Sequence, residues 1–190
     1  MTSYMILISY LSLLIWIYLA LFHGRRNISK DHFFWSNKII FEKQQLQQIN
    51  YDPKICAIIP ARNEEKTILK TLNSLKKQNI KNLHIIVVDD NSSDKTSSVV
   101  NLFKKKFKST YLLPSKELPS GWVGKTWAMK QGVDFANKKY FDYYTFLDSD
   151  IVINKNLLKK VSAFMHRDKY LMISLMAKLN CEFFWEKLMI

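Results

Sequence analysis

Short apolar runs alternate with helical periodicities from about residue 54 to the end of the chain. Continuous apolar runs bounded by polar turns favour buried strands, whereas apolar residues three or four positions apart favour amphipathic helices. Strands are predicted at residues 54–60, 83–88, 110–113, 143–148 and 171–176. Because helical patterns separate these runs, the strands are expected to form a mostly parallel sheet in an α/β domain.

Helices are predicted in the intervals between these strands. Their inward-facing residues are Ile68, Leu72 and Leu75 in the first interval, Val99, Val100, Phe103 and Phe107 in the second, and Leu157, Leu158, Val161 and Phe164 in the last. A further helix is expected to follow the loop Leu118-Pro-Ser-Gly-Trp-Val-Gly-Lys-Thr-Trp-Ala128 and to reach about Lys138. Asn63 is a plausible N-cap for the first helix, because its side chain can accept a hydrogen bond from a free N–H group.

The N-terminal segment has a different pattern. Residues 4–22 contain no charged side chain, and as a helix they would extend about 29 Å, close to the thickness of the hydrocarbon core of a bilayer. A retained transmembrane anchor is favoured over a cleavable signal peptide, since the run has neither a basic start nor a small-residue cleavage site. Because Arg25 and Arg26 follow the run, the positive-inside rule predicts that the main domain lies in the cytoplasm.

The chain of 190 residues therefore divides into three predicted segments. Residues 1–24 are the transmembrane anchor, residues 25–50 are a juxtamembrane linker or amphipathic neck, and residues 51–190 are the α/β domain. The predicted fold is thus a single α/β domain preceded by one transmembrane helix, with the protein located at a membrane.

The formal net charge of +13 calls for a test of a nucleic-acid partner. Arginine occurs at only four positions, and lysine, which supplies the remaining positive charge, is scattered rather than grouped with aromatic stacking residues. With no recognised nucleic-acid motif, we expect no nucleic-acid partner. Scattered lysine is more typical of a solvated surface or of attraction to anionic lipid. Cys56 and Cys181 lack metal-ligand spacing and are expected to be reduced core thiols.

Acidic or polar clusters follow three of the predicted strands, at residues 62–65, 89–94 and 148–150. The carboxyl ends of parallel strands share one edge of the sheet, where open α/β sheets bind their ligands. Asp148 and Asp150 supply hard oxygen ligands at a spacing that suits Mg²⁺ or Mn²⁺ bridging substrate phosphates. The plainer alternative is a strand-to-turn corner in which Asp148 or Asp150 caps the next helix. The recurrence of such clusters favours a nucleotide-diphosphate ligand.

Lys125 lies in the glycine-containing loop at a predicted helix start. It can supply a positive charge to a phosphate there, and the helix N-terminus can supply N–H groups. The P-loop spacing is not met, because Pro119 stands where that motif requires glycine. A solvated lysine is the equally weighted alternative.

Three motifs in this order resemble the family 2 glycosyltransferases with the GT-A fold. They are Ile59-Pro-Ala-Arg-Asn-Glu-Glu65, Val87-Val-Asp-Asp-Asn-Ser-Ser-Asp94 and Leu147-Asp-Ser-Asp-Ile151. The segments Pro119-Ser-Gly-Trp-Val-Gly-Lys-Thr-Trp-Ala128 and Ser174-Leu-Met-Ala177 are similar to the hopene-associated branch of that family. The resemblance covers residues 51–190 and implies a Rossmann-like nucleotide-sugar-binding domain.

The resemblance also implies roles for individual residues. Those expected to bind the nucleotide sugar are Pro60, Ala61, Arg62, Glu64, Asp90 and Asp148, and those expected to bind a divalent metal, Mg²⁺ or Mn²⁺, are Asp150 and Asp148. Lys125 is added to the expected nucleotide-sugar ligands because of its position at the helix start, not because of the resemblance. Asp90 would contact uracil or ribose, and Asp150 would be the more direct metal ligand. The family transfers a sugar from a nucleotide donor, here expected to be a uridine diphosphate sugar, with inversion at the anomeric carbon. The implied acceptor is a membrane lipid or an isoprenoid.

An inverting displacement needs a general base to take a proton from the acceptor hydroxyl. Glu182 and Glu186 carry no spacing that marks them as this base, and the base is expected beyond Ile190, so the chain is interpreted as the donor-binding half of a larger enzyme. The alternatives are a truncated, non-catalytic nucleotide-sugar-binding module at the membrane and, less favoured, a phosphoacceptor domain suggested by Asp89 and Asp90 after a strand.

Overall fold

The computed structural model describes residues 2–18 and 52–175, and the chain divides into two compact units, Met1–Phe41 and Glu42–Ile190. In the first unit, helix α1 spans Thr2–Tyr18 and is rich in apolar residues. The transmembrane anchor predicted for residues 1–24 is not confirmed, because none of the helices in the described residues is long and apolar enough to cross a membrane. The predicted neck at residues 25–50 and Cys181 lie outside the described residues.

The second unit alternates strands and helices along the chain, as the sequence predicts. Its elements are β1 (Ile55–Ala61), α2 (Ile68–Lys76), β2 (Leu83–Asp89), α3 (Thr96–Lys106), β3 (Thr110–Pro114), α4 (Gly124–Ala136), β4 (Tyr143–Phe146) and α5 (Leu157–Asp168). The four strands form one sheet in the order β3-β2-β1-β4, and every neighbouring pair is parallel. The predicted α/β fold with a parallel sheet is confirmed.

Strand β1 lies inside the sheet and is buried along its whole length. It pairs with β2 from Ile55 opposite Leu83 to Ala61 opposite Asp89, and with β4 from Ile55 opposite Tyr143 to Ile58 opposite Phe146. A strand covered on both faces has to be apolar on both, which explains why β1 is a continuous apolar run and does not alternate with polar residues.

The side chains of β1 alternate between two hydrophobic clusters, one on each face of the sheet. Ile55, Ala57, Ile59 and Ala61 belong to the larger cluster, to which α2, α3 and α5 also contribute. Cys56 and Ile58 belong to the smaller cluster, to which α4 contributes Ala128 and Ala136. Burial raises the pKa of the Cys56 thiol to about 12, so this cysteine is the inert core thiol that its apolar surroundings predict.

Two local predictions are wrong. Helix α2 begins at Ile68 with Thr67 in the N-cap position, so Asn63 does not cap it. The apolar run at residues 171–176 is not a strand over residues 171–175, and Met176 lies outside the described residues. Leu171 and Met172 are strongly exposed. The apolar run therefore forms neither a strand nor a buried segment over these residues.

Helix α4 approaches the sheet closely because residue 132 has no side chain. A Cβ atom on Gly132 would lie 2.5 Å from Ile58 Cγ2 and 3.4 Å from Val88 Cγ2. The first distance is well inside van der Waals contact, and Ile58 is fully buried in a central strand, so its methyl group has little room to move. Gly132 thus sets the distance between α4 and the sheet.

We expect Gly132→Ala to lower the free energy of unfolding by about 1 kcal/mol in urea titrations. Overpacking costs about 1–3 kcal/mol, and the better helix propensity of alanine offsets about 1 kcal/mol of this. Lys130→Ala, on the exposed side of the same helix, is the control and should change stability by less than about 0.5 kcal/mol. Equal or greater stability of Gly132→Ala would show that the close approach does not constrain the fold.

Candidate functional site

The three polar clusters that follow β1, β2 and β4 lie at the same end of the sheet. Because the strands are parallel, and because Ala61 is paired with Asp89 and Ile58 with Phe146, the segments that leave these strands emerge side by side. We call the segments at residues 62–65, 90–94 and 148–150 the carboxyl edge. This is where ligands of open α/β sheets bind.

A chain of contacts joins the members of the carboxyl edge through the first residues of α4. Arg62 Nη1 lies 3.9 Å from Asp90 Oδ2, which connects the segment after β1 to the segment after β2. The same Asp90 oxygen lies so close to Gly124 that a Cβ atom there would be 2.8 Å from it. The next residue, Lys125, places its Nζ 2.7 Å from Asp148 Oδ1. The amino end of α4 therefore contacts both Asp90 and Asp148.

The two adjacent aspartates after β2 have different surroundings. Asp89 is buried, and its carboxylate accepts hydrogen bonds from the Ser92 N–H at 2.9 Å and from the Ser97 hydroxyl. Asp90 is only partly buried, and its carboxylate lies between Arg62 and the start of α4. Asp89 therefore holds its own loop, whereas the carboxylate of Asp90 is the more accessible of the two.

The loops after β1 and β2 are joined to each other by reciprocal hydrogen bonds. Asn63 and Asn91 have positive φ angles of 56° and 57°, a backbone conformation that asparagine adopts more readily than most residues. The bonds run from the N–H of Asn63 to Ser92 Oγ (3.0 Å), of Glu64 to Thr96 Oγ1 (2.8 Å), of Glu65 to Asp94 Oδ2 (3.0 Å), of Ser93 to Asn63 Oδ1 (2.8 Å) and of Lys95 to Glu65 Oε2 (3.0 Å). Asn63, which was predicted to cap a helix, thus joins the two loops instead.

The segment after β4 is held by polar side chains of α2 and of the turn that follows this helix. Thr71 Oγ1 donates to the Ser149 carbonyl at 2.8 Å, and Ser74 Oγ accepts from the Ile153 N–H at 3.2 Å. Gln78 donates to the Asn154 carbonyl at 2.9 Å and accepts from the Leu158 N–H at 3.1 Å. These three polar side chains are all buried, so they fix the course of this segment.

This support explains the alternation in the Asp-x-Asp triplet. Ser149 is buried toward α2, whereas Asp148 and Asp150 are exposed on either side of it. Neither aspartate caps the following helix, because α5 begins at Leu157 with Asn156 in the N-cap position. The helix-capping alternative is therefore wrong.

The other predicted site residues are distributed as follows. Pro60 and Ala61 are buried within β1, and Ala61 reaches the carboxyl edge through its carbonyl, which accepts the Asp90 N–H at 2.8 Å. Glu64 is half-buried, and its carboxylate accepts a hydrogen bond from the Thr67 hydroxyl. Arg62 and Lys125 are exposed. Gly124 was not predicted as a site residue, although its position next to Lys125 at a helix start was the available signal.

Within residues 2–18 and 52–175, no group of three or more Asp, Glu, His or Cys side chains is arranged to hold a metal by itself. A closed protein cage is not required for Mg²⁺, which usually keeps several waters and binds one or two carboxylates together with substrate phosphates. Two exposed carboxylates at the carboxyl edge, Asp148 and Asp150, fit this second mode.

Residues 56–189 match the model of the family described as "Glycosyl transferase family 2". The chain belongs to this family. The match includes β1 from Cys56 onward, the other three strands and the carboxyl edge described above, so the motif resemblance to family 2 glycosyltransferases is confirmed.

TarS of Staphylococcus aureus, a poly(ribitol-phosphate) β-N-acetylglucosaminyltransferase, is one relative in family 2. It is 34% identical over 128 residues, which are 64% of this chain and 21% of TarS. The crystal structure of TarS residues 1–349 superimposes with a TM-score of 0.50 at 33% identity, covering 60% of this chain and 32% of that structure. The likeness supports a GT-A-like α/β fold for this chain.

Two further relatives are also named as sugar transferases. The 4,4'-diaponeurosporenoate glycosyltransferase of Staphylococcus haemolyticus is 27% identical over 137 residues, 71% of this chain and 35% of that protein. The GalNAc(5)-diNAcBac-PP-undecaprenol β-1,3-glucosyltransferase of Campylobacter jejuni is 39% identical over 101 residues, 52% of this chain and 30% of that protein. The chain thus spans about a third or less of the length of these relatives.

Hydrogen bonds to Asp94 give the junction between the two loops a dependence on pH. Burial would raise the pKa of this carboxyl, but hydrogen bonds from the Thr96 hydroxyl and N–H and from the Glu65 N–H outweigh burial and lower the pKa. The stabilisation is therefore complete above the ordinary carboxyl pKa of about 3.9 and is lost as the pH falls through the lower pKa of the folded state.

We expect Asp94→Asn to unfold at a lower urea concentration than the wild type at neutral pH. The difference should be smaller at about pH 3, because the stabilisation decreases once the pH is below the ordinary carboxyl pKa of about 3.9. Asp134→Asn is the control, since the exposed ion pair of Asp134 with Lys130 should contribute little at any pH. A deficit of Asp94→Asn that is equal at both pH values would show that the charge on Asp94 does not stabilise the junction.

Proposed function

We propose that the carboxyl edge binds a nucleotide-diphosphate sugar and that the enzyme to which this domain belongs transfers the sugar to an acceptor with inversion. The observation that carries the proposal is the contact chain from Arg62 through Asp90 and the start of α4 to Asp148, in a chain of glycosyltransferase family 2. These contacts bring two carboxylates and two cationic side chains to the amino end of one helix, where N–H groups favour anions.

In this proposal Asp90 accepts hydrogen bonds from the base or ribose of the nucleotide, with uridine as the first candidate. Its carboxylate is held in place by Arg62 and by the close approach of Gly124. The fixed loop junction beneath it limits the movement of residues 62–65, so little additional ordering is required when the nucleotide binds. Glu64 and the backbone of Pro60 and Ala61 complete this side of the proposed nucleotide site.

Asp150 and Asp148 are the proposed ligands of a divalent cation, Mg²⁺ or Mn²⁺, shared with the donor diphosphate. When bound, such a cation neutralises the diphosphate and stabilises the negative charge that develops on it as the sugar leaves. The protein's part is to hold the two carboxylates outward, which the hydrogen bond from Thr71 to the Ser149 carbonyl supports.

A lipid-linked or isoprenoid acceptor is the proposed partner on the other side of the sugar. The support is the name of the Campylobacter jejuni relative, which specifies an undecaprenol-linked acceptor. The hopene-associated branch and a cytoplasmic location at a membrane remain predictions from the sequence, the latter from residues 4–22 with Arg25 and Arg26. We assign no general base among the described residues, so sugar transfer by the 190-residue chain alone separates an active domain from a binding module.

We expect the wild-type chain to bind uridine diphosphate (UDP) in isothermal titration calorimetry more tightly with Mn²⁺ than without it. Asp150→Ala should remove most of the Mn²⁺-dependent gain, with at least a tenfold loss of affinity, or about 1.4 kcal/mol. The reason is that one of two carboxylates shared with the cation is lost.

Asp134→Ala is the matched control, because Asp134 is an exposed aspartate of α4 that pairs with Lys130 away from the carboxyl edge. It should bind UDP as the wild type does. Unchanged Mn²⁺-dependent affinity in Asp150→Ala would refute the metal assignment, and a wild-type chain that binds neither UDP nor guanosine diphosphate would refute the donor site.

A further inference from the structure

Lys125 occupies a position that helix electrostatics disfavour. It is the second residue of α4, where the partial positive charge of the helix N-terminus repels a cation. Its Nζ lies 2.7 Å from Asp148 Oδ1, so the aspartate of another element compensates for this repulsion. A surface lysine without such a partner would be disfavoured at this position by the helix dipole.

The second ion pair of α4 provides a comparison. Lys130 pairs with Asp134 at 2.6 Å, one turn further along the same helix, so that pair is local and lies on an exposed face. The Lys125 pair instead joins α4 to the segment after β4 and uses a proposed metal ligand. The two pairs have similar lengths and exposure, and they differ in what they connect.

Exposure makes the Lys125 pair easy to exchange. The side chains of Lys125 and Asp148 are 56% and 54% exposed, and ion pairs that are this exposed contribute little to stability. The lysine has a flexible stem with a compact charge at its end, so it can change partner without movement of the backbone. The start of α4, with N–H groups that favour phosphate, lies at the base of that stem.

We propose that Lys125 is an exchangeable counter-ion of Asp148: it neutralises this carboxylate in the absence of a donor and transfers to the donor diphosphate when a metal–nucleotide complex binds. The inference rests on the proposed function of the carboxyl edge. It implies that free divalent cation competes with Lys125 for Asp148 and binds weakly, whereas cation and diphosphate together release the lysine and give it a new partner.

The test is a titration of the 190-residue chain with Mn²⁺, followed by electron paramagnetic resonance, first without nucleotide. Lys125→Ala should bind Mn²⁺ about threefold to tenfold more tightly than the wild type, because Asp148 is freed from its counter-ion. Lys125→Arg keeps the charge and should restore the weak wild-type affinity. Lys130→Ala removes a lysine of the same helix outside the carboxyl edge and should leave Mn²⁺ affinity unchanged.

The second arm measures UDP binding at saturating Mn²⁺, where Lys125→Ala should bind about threefold to tenfold more weakly than the wild type. Tighter Mn²⁺ binding together with weaker UDP binding in Lys125→Ala distinguishes an exchanging lysine from one that only supports the fold. Mn²⁺ affinity of Lys125→Ala no greater than that of the wild type, including the case in which neither binds, would overturn the inference. If the wild-type chain does not bind UDP at saturating Mn²⁺, the proposed donor site is refuted instead.

Discussion

The parallel pairing of β1 with β2 and β4 is the constraint on which the rest of the domain depends. Because β1 has a partner on each side and a hydrophobic cluster on each face, its carboxyl end cannot move independently of theirs. The polar segments after the three strands are therefore brought together by the apolar core. Without that pairing, residues 62–65, 90–94 and 148–150 would be separate surface loops.

Helix α4 completes this arrangement from the other face of the sheet. The distance between α4 and the sheet is set at Gly132, which lies against Ile58 of β1. The first residues of α4 then reach Asp90 and Asp148. A larger side chain at Gly124 would meet the Asp90 carboxylate, so two glycines about two turns apart fit one helix to the core and to the carboxyl edge. Packing and site geometry are thus coupled along a single element.

Much of this fold could be predicted from sequence because burial produces periodic patterns. The run that became β1 is apolar on both faces, and Leu72 and Leu75 lie on the buried face of α2 as their spacing indicates. The carboxyl edge could be predicted because parallel strands with polar ends have few other arrangements.

The details that could not be predicted involve polar atoms that satisfy other polar atoms. Thr71 and Ser74 on α2 and Gln78 just after it are buried, yet a hydrophobic pattern counts them as surface residues. Their burial depends on the backbone of the segment after β4, which lies far away in sequence. Likewise, asparagine is a residue type that often caps helices, but the side chain of Asn63 accepts its hydrogen bond from the Ser93 N–H.

Charge explains why these contacts converge at the amino end of α4. The chain has a net charge of +13, yet the carboxyl edge concentrates aspartates beside the place where we propose an anionic diphosphate. Two like charges 4 Å apart repel by about 1 kcal/mol in water and by about 4 kcal/mol near a protein surface. Cations between the carboxylates and the proposed diphosphate would relieve this repulsion. Arg62 and Lys125 already occupy such positions in the protein alone, which makes the exchange of one cation for another the least costly way to admit the donor.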